Sequence, residues 1–142
     1  MKVFNINTPS HNCPPNRVIL TLTMKENPYP AVIENYDPNW PLTFVEERQE
    51  LVRLIGDLAI AIEHIGSTAV PGLCAKPIID IMVGLHRFDD ASRTMEPLKQ
   101  IGYRYVPEYE ASIRDRRYFD KWHPSDFKIA PENLAVVRIT VL

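Results

Sequence analysis

The stretch that most narrows what this chain can fold into is Ile78-Ile79-Asp80-Ile81-Met82-Val83-Gly84-Leu85. Pro77 opens it, the polar pair His86-Arg87 closes it, and a run this rich in branched apolar side chains predicts a largely buried strand. One carboxylate, Asp80, stands inside it. Flanked by Ile78, Ile79, Ile81 and Val83, that acid must find a cation or several hydrogen-bond donors, because burying an unpaired charge is costly. It therefore marks either a metal or substrate site or a structural ion pair with Lys76 or an arginine.

The segment upstream adds a cradle. Ala59 to Ile65 (AIAIEHI) predicts another largely buried strand, and it runs directly into a loop from Gly66 to Pro77. A Gly66-Ser67 pair at a strand end lets backbone amides and a hydroxyl face an anion unobstructed; a plain tight turn is the alternative. Thr68, Gly72 and Lys76 add a second hydroxyl, a close-approach glycine and a cation, while Pro71 and Pro77 stiffen the loop. Glu63 or His64 supplies a further group if its side chain faces the same way. His64 otherwise serves as a hydrogen-bonded core histidine that orients the loop. Arg114 to Lys121 is the densest basic cluster, in which Arg116 or Arg117 is placed to clamp a phosphate, or else to line a solvated strand edge.

Around this centre the punctuation predicts strands and helices that do not strictly alternate. Ala31 to Glu34 reads as a short strand, followed by the turn Tyr36-Asp37-Pro38-Asn39-Trp40-Pro41. A first helix is expected with Thr43 as cap, Glu46 completing a capping box, Phe44, Leu51, Leu54, Ile55 and Leu58 as its apolar stripe, and Gly56 as a left-handed stop. Trp40 with Phe44 packs the turn against it. A second helix over residues 89 to 101 turns Met95, Leu98 and Ile101 inward and stops at Gly102. Tyr103–Val106, Arg116–Trp122 and Leu134–Leu142 read as short strands. Residues 1–30 hold Pro9, Pro14, Pro15, Pro28 and Pro30 and are read as an irregular N-terminal arm, relieved only by the run VILTLT at 18 to 23. The fold class expected is α+β, one domain over 31–142 with a mixed β-sheet and helices mainly on one face.

Composition excludes several classes. Sixteen basic and 18 acidic residues give a net charge of -2, with no footprint for duplex nucleic acid or an anionic membrane surface. There is no apolar stretch of membrane-spanning length and no secretory leader pattern, so a cytoplasmic location is expected. Cys13 and Cys74 are read as free thiols, Cys74 as buried filler rather than a nucleophile. His11, His86 and His123 lack the spacing of a zinc site.

The turn Tyr36 to Pro41, then Phe44 and Glu47, the run Ile62-Glu63-His64-Ile65-Gly66-Ser67-Thr68-Ala69-Val70-Pro71-Gly72-Leu73, and Ala75-Lys76-Pro77-Ile78-Ile79-Asp80-Ile81 together resemble GrpB-like proteins. Gly102-Tyr103 and Asp115 to Phe119 extend the resemblance, which covers about Val32 to Lys121. It implies the nucleotidyltransferase fold, in which a Gly-Ser loop precedes a strand bearing paired carboxylates that hold Mg2+ and a nucleoside triphosphate. The superfamily pattern places acids at alternate strand positions, on one face, and a third acid on a neighbouring strand. Here the alternate position is Met82, a poor ligand for a hard cation. The chain also runs from His123 into LAVVRITVL with no later histidine, so the C-terminus is expected to be short for this family.

These readings make Asp80 and Ser67 the candidate catalytic residues, with Asp80 as ligand of a single Mg2+. Gly66, Ser67, Thr68, Lys76, Arg116 and Arg117 are the candidate substrate-binding set, with Glu63 and His64 as accessories. The expected partner is a nucleotide or phosphorylated small molecule. The expected activity is Mg2+-dependent nucleotidyl transfer, or else non-catalytic nucleotide binding or protein interaction at a degenerate metal site. A third reading is a remnant that forms a homodimer through an exposed edge at residues 134 to 142.

Overall fold

The structure is a computed structural model that describes residues 18–20, 31–111, 114–121 and 136–142. Its frame is a five-stranded mixed sheet. Two short strands, β1 (Val18–Leu20) and β2 (Ala31–Ile33), pair antiparallel in a separate ribbon, so part of the arm is ordered as a strand. Then follow α1 (Trp40–Ile55), β3 (Ala59–Ile65), β4 (Ile78–Leu85), α2 (Ala91–Gln100), β5 (Arg104–Tyr105), β6 (Arg117–Lys121) and β7 (Val136–Val141). The sheet order is β3-β4-β7-β6-β5, parallel only between β4 and β7. Among the described residues no helix is long and apolar enough to cross a membrane. The readings made on Cys13, His11, Trp122 and His123 lie outside the described residues.

Alternation along the strands sorts the sheet into two faces. Ile79, Ile81, Val83 and Leu85 of β4 are buried with Ile62 of β3, Val137, Ile139 and Val141 of β7 and Phe119 of β6. Leu51 and Ile55 of α1 and Leu98 of α2 join them in one core. Each such side chain contributes about 1.5–3 kcal/mol on burial. The intervening residues, Asp80 and Met82 among them, lie half-buried on the opposite face. The expected α+β architecture with helices on one face is what is found.

Three local expectations are corrected. The helix α1 begins at Trp40, three residues before Thr43, because Pro41 suits the first turn and Trp40 is buried, packed edge-on against Tyr36 at 5.5 Å. Thr43 lies inside the helix and its hydroxyl donates to the Asn39 carbonyl, so it caps nothing. Gly56 keeps a right-handed conformation, φ -62°, with its N–H donated to the Val52 carbonyl; the left-handed stop is at Gly102, φ +92°, after α2. Finally, the strand expected at 134 to 142 is interior. Residues Val136–Val141 pair with β4 on one side and β6 on the other, so they offer no free edge for a dimer. Among the described strands, β3 and β5 stand at the ends of the sheet order.

Candidate functional site

The open face of the sheet collects the chemistry, and register decides which residues share it. Directly opposed residues in a sheet point to the same side. Ile65, Asp80, Arg138, Asp120 and Arg104 are successive register partners across all five strands, forming one lateral row. Glu63, Met82, Thr140 and Tyr118 form the next row on that face.

In the first row the acid of β4 has found its cation. Arg138 Nε donates to Asp80 Oδ1 at 3.0 Å, with the arginine side chain 49% and the aspartate 28% exposed. An arginine, not Lys76, answers the buried-carboxylate problem. Further along, Arg104 grips Asp120 through Nε at 3.0 Å and Nη2 at 2.7 Å. The row therefore alternates acid and base.

Gly66 brings the loop onto Asp80. Its φ of +78° is a left-handed value that L residues avoid, and a Cβ there would stand 2.7 Å from Asp80 Oδ2. Only glycine lets the loop backbone lie against that carboxylate. After it Ser67–Ala69 forms a single 3-10 turn, whose own bonds are donated by the amides of Ala69 and Val70 at 3.2 Å each. Ser67 stays exposed at its start.

Thr68 takes another part than substrate binding. It is fully buried, its hydroxyl donates to the Ile78 carbonyl at 2.7 Å, and the same oxygen lies 3.0 Å from His64 Nε2. His64 opposes Ile81 in the register, which turns it to the helix-covered face, away from Asp80's row. There its ring stacks on Phe44 with centroids 4.9 Å apart. Burial lowers the His64 pKa below its ordinary value, partly offset by the charge of Asp80. His64 is thus the loop-orienting core histidine of the two alternatives. Glu63, one residue earlier, faces the open side and is exposed.

The basic cluster divides. Arg117 opposes Val141 on the helix side, pairs with Glu110 at 3.1 Å and lies 4.9 Å from the Phe88 ring centroid, so it does not reach the Asp80 row. Sequence reasoning missed this because the strand's facing flips with every residue. Arg116 precedes β6, half-buried, and its carbonyl accepts from Arg117 Nη1 at 2.9 Å. Lys76 is exposed at the far end of the loop. Cys74, read as a free thiol, is disulfide-bonded. Arg138 is the candidate residue the sequence undervalued: its only signal was a charge inside the apolar run LAVVRITVL.

The oxygen donors present do not make the metal pair that the fold implies. Met82 occupies the alternate position on Asp80's face and Arg138, a cation, occupies the neighbouring strand. Among the described residues no three His, Cys, Asp or Glu side chains gather as a metal cluster. Hard cations need such oxygen clusters.

The family model described as GrpB protein matches residues 30–139. The chain belongs to the GrpB family. Its relatives include UPF0157 protein BH1888 of Halalkalibacterium halodurans, 44% identical over 48% of this chain and 35% of that protein. UPF0157 protein YqkA of Bacillus subtilis is 41% identical over 61% of this chain and 24% of that protein. A Mycobacterium tuberculosis protein named dephospho-CoA kinase is 39% identical over 64% of this chain but only 22% of its own length. The crystal structure of conserved protein GrpB from Enterococcus faecalis superimposes with a TM-score of 0.63 at 32% identity, covering 77% of this chain and 59% of that one. The matched stretches thus span about a quarter to a third of the first two relatives.

Proposed function

We propose that this GrpB-family chain binds the phosphate of a nucleotide or phosphorylated small molecule on the open sheet face, between the Gly66-Ser67 loop and Arg138. The observation that carries this reading is the ion pair of Arg138 with Asp80, held against Gly66 on the sheet face opposite the one that the described helices α1 and α2 cover. Asp80 engages only the Nε edge of the guanidinium. The two Nη nitrogens, which meet no partner among the described residues, keep the forked geometry that suits a phosphate. In this reading Asp80 is the positioning residue for Arg138, and Ser67 adds a hydroxyl at the loop's exposed start. Similarity to a segment of a protein named dephospho-CoA kinase supports a nucleotide-related role.

The second reading is Mg2+-dependent nucleotidyl transfer. It draws on Glu63, the one further carboxylate on Asp80's face in the neighbouring strand β3. Calorimetric titration with a nucleoside triphosphate, in Mg2+ and in chelator, separates the two. Phosphate binding through Arg138 persists in chelator and weakens roughly ten-fold or more in Arg138→Ala, since a charge-assisted bidentate contact is lost. Binding that requires Mg2+ and disappears in Asp80→Ala favours the transferase. No binding in either condition rejects both.

A further inference from the structure

Beside the charged row lies a second row whose makeup the phosphate site leaves unexplained. Glu63, Met82, Thr140 and Tyr118 follow one another across β3, β4, β7 and β6 on the same face. Met82 and Thr140 are half-buried rather than packed away, as is Tyr118. The Tyr118 ring is backed edge-on by Tyr109, with centroids 5.7 Å apart and planes at 83°, and Tyr109 is itself 59% exposed. On the far side of Met82 in its own strand stands Gly84, which adds no side chain to the floor.

The spacing ties the two rows together. Thr140 is the direct partner of Tyr118 and Arg138 stands two residues before it, so Arg138 and Tyr118 are diagonal neighbours, about 7–8 Å apart at Cα. That is the order of separation a sugar imposes between a phosphate and a planar base. A ligand that fits here carries negative charge at one end and a flat, weakly polar ring at the other. A phosphate alone would leave the Met82 to Tyr118 row unused; a purely apolar partner would desolvate Asp80, Arg138, Asp120 and Arg104 without compensating them.

We infer that Met82, Thr140 and Tyr118 form the floor for the base and sugar of a nucleotide, with Tyr118 stacking on the base while Arg138 holds the phosphate. Met82 then has a positive role. A thioether is polarisable and packs well on aromatic rings, which suits a ligand floor as much as it unsuits a magnesium site. The hydroxyl of Thr140, between them, is placed for a sugar hydroxyl or ring nitrogen. This inference rests on the phosphate site proposed above.

The experiment compares two ligands and three variants by calorimetry, with circular dichroism checking the fold. Inorganic tripolyphosphate reports the phosphate site alone, and a nucleoside triphosphate reports both rows. Tyr118→Ala is expected to weaken the nucleoside triphosphate roughly ten-fold or more, the range for loss of a base-stacking ring, while leaving tripolyphosphate unchanged. Tyr118→Phe, which keeps the ring, retains the wild-type affinity. Tyr118→Leu, which keeps apolar bulk without the ring, loses most of it and guards against a misfolded alanine variant. If tripolyphosphate binds as tightly as the nucleoside triphosphate, or if Tyr118→Leu binds both as wild type does, the base floor is overturned and the phosphate site stands. If neither ligand binds the wild-type chain, the phosphate site falls and takes the floor with it.

Discussion

Asp80 and Gly66 show how two residues 14 positions apart in the chain impose conditions on each other. The carboxylate needs Arg138 to sit in an apolar strand, and the loop needs glycine to pass beside the carboxylate. Gly66→Ala therefore meets two penalties, a left-handed φ and a Cβ 2.7 Å from Asp80 Oδ2. The expected loss is about 1–3 kcal/mol in urea denaturation, with weaker ligand binding because Asp80 must turn away from its place. A wild-type midpoint in that variant would mean that the loop relaxes and the glycine is not required. That a Gly-Ser loop leads toward an Asp-bearing strand was legible in the residues. That Thr68 is spent on the Ile78 carbonyl and His64 was not, since a hydroxyl in a loop gives no local sign of which way it faces.

At the scale of elements, α1 is tied to the far side of the sheet by one side chain. Glu47 accepts from Tyr103 Oη at 2.8 Å through one oxygen and from Lys121 Nζ at 2.7 Å through the other, linking the helix to β6 and to the turn before β5. The Lys121 ammonium also lies 5.2 Å from the centre of the Tyr103 ring. Burial first, and then the Glu47 charge and hydrogen bond, push the Tyr103 pKa upward, so its hydroxyl remains a donor. Glu47→Ala leaves the phenol and the ammonium unpaired and is expected to destabilise by about 1–3 kcal/mol. Glu47→Gln, which still accepts from Tyr103, loses less; equal losses in the two variants would show that the carboxylate's acceptor role is not what matters. The sequence marked Glu47 within the family resemblance without revealing its partners, which lie 56 and 74 residues away. Element type was plainer: β4 and β7 announced themselves through apolar runs, whereas the start of α1 was misplaced because the Thr43-Glu46 pattern imitates a cap inside the helix.

For the molecule as a whole, stability and pH are linked through His64, which joins α1 through Phe44, the loop through Thr68 and β4 through the Thr68 bond to Ile78. Its pKa in the fold is lowered, chiefly by burial, so the unfolded chain binds the proton more readily than the folded one. Stability from this group is therefore full above the ordinary histidine value of 6.5 and falls as pH drops through it. Denaturation midpoints measured from pH 8 down to pH 5 should decline, and His64→Gln should flatten that part of the curve. An unchanged slope in His64→Gln would assign the decline to other groups.

The residues alone determined that this chain has a Gly-Ser loop feeding a strand with a lone acid, and an α+β order of elements. Those are local properties, carried by side-chain type, period-two alternation and the glycines and prolines between elements. Tertiary structure alone decided that Arg138 answers Asp80, that Glu63 faces the site while His64 and Arg117 face away, and that β7 is interior. Each of those depends on the pairing register of strands distant in the chain, and a shift of one residue would reverse every facing. Register is settled by the packing of the whole apolar face against the helices, which no short stretch of sequence contains.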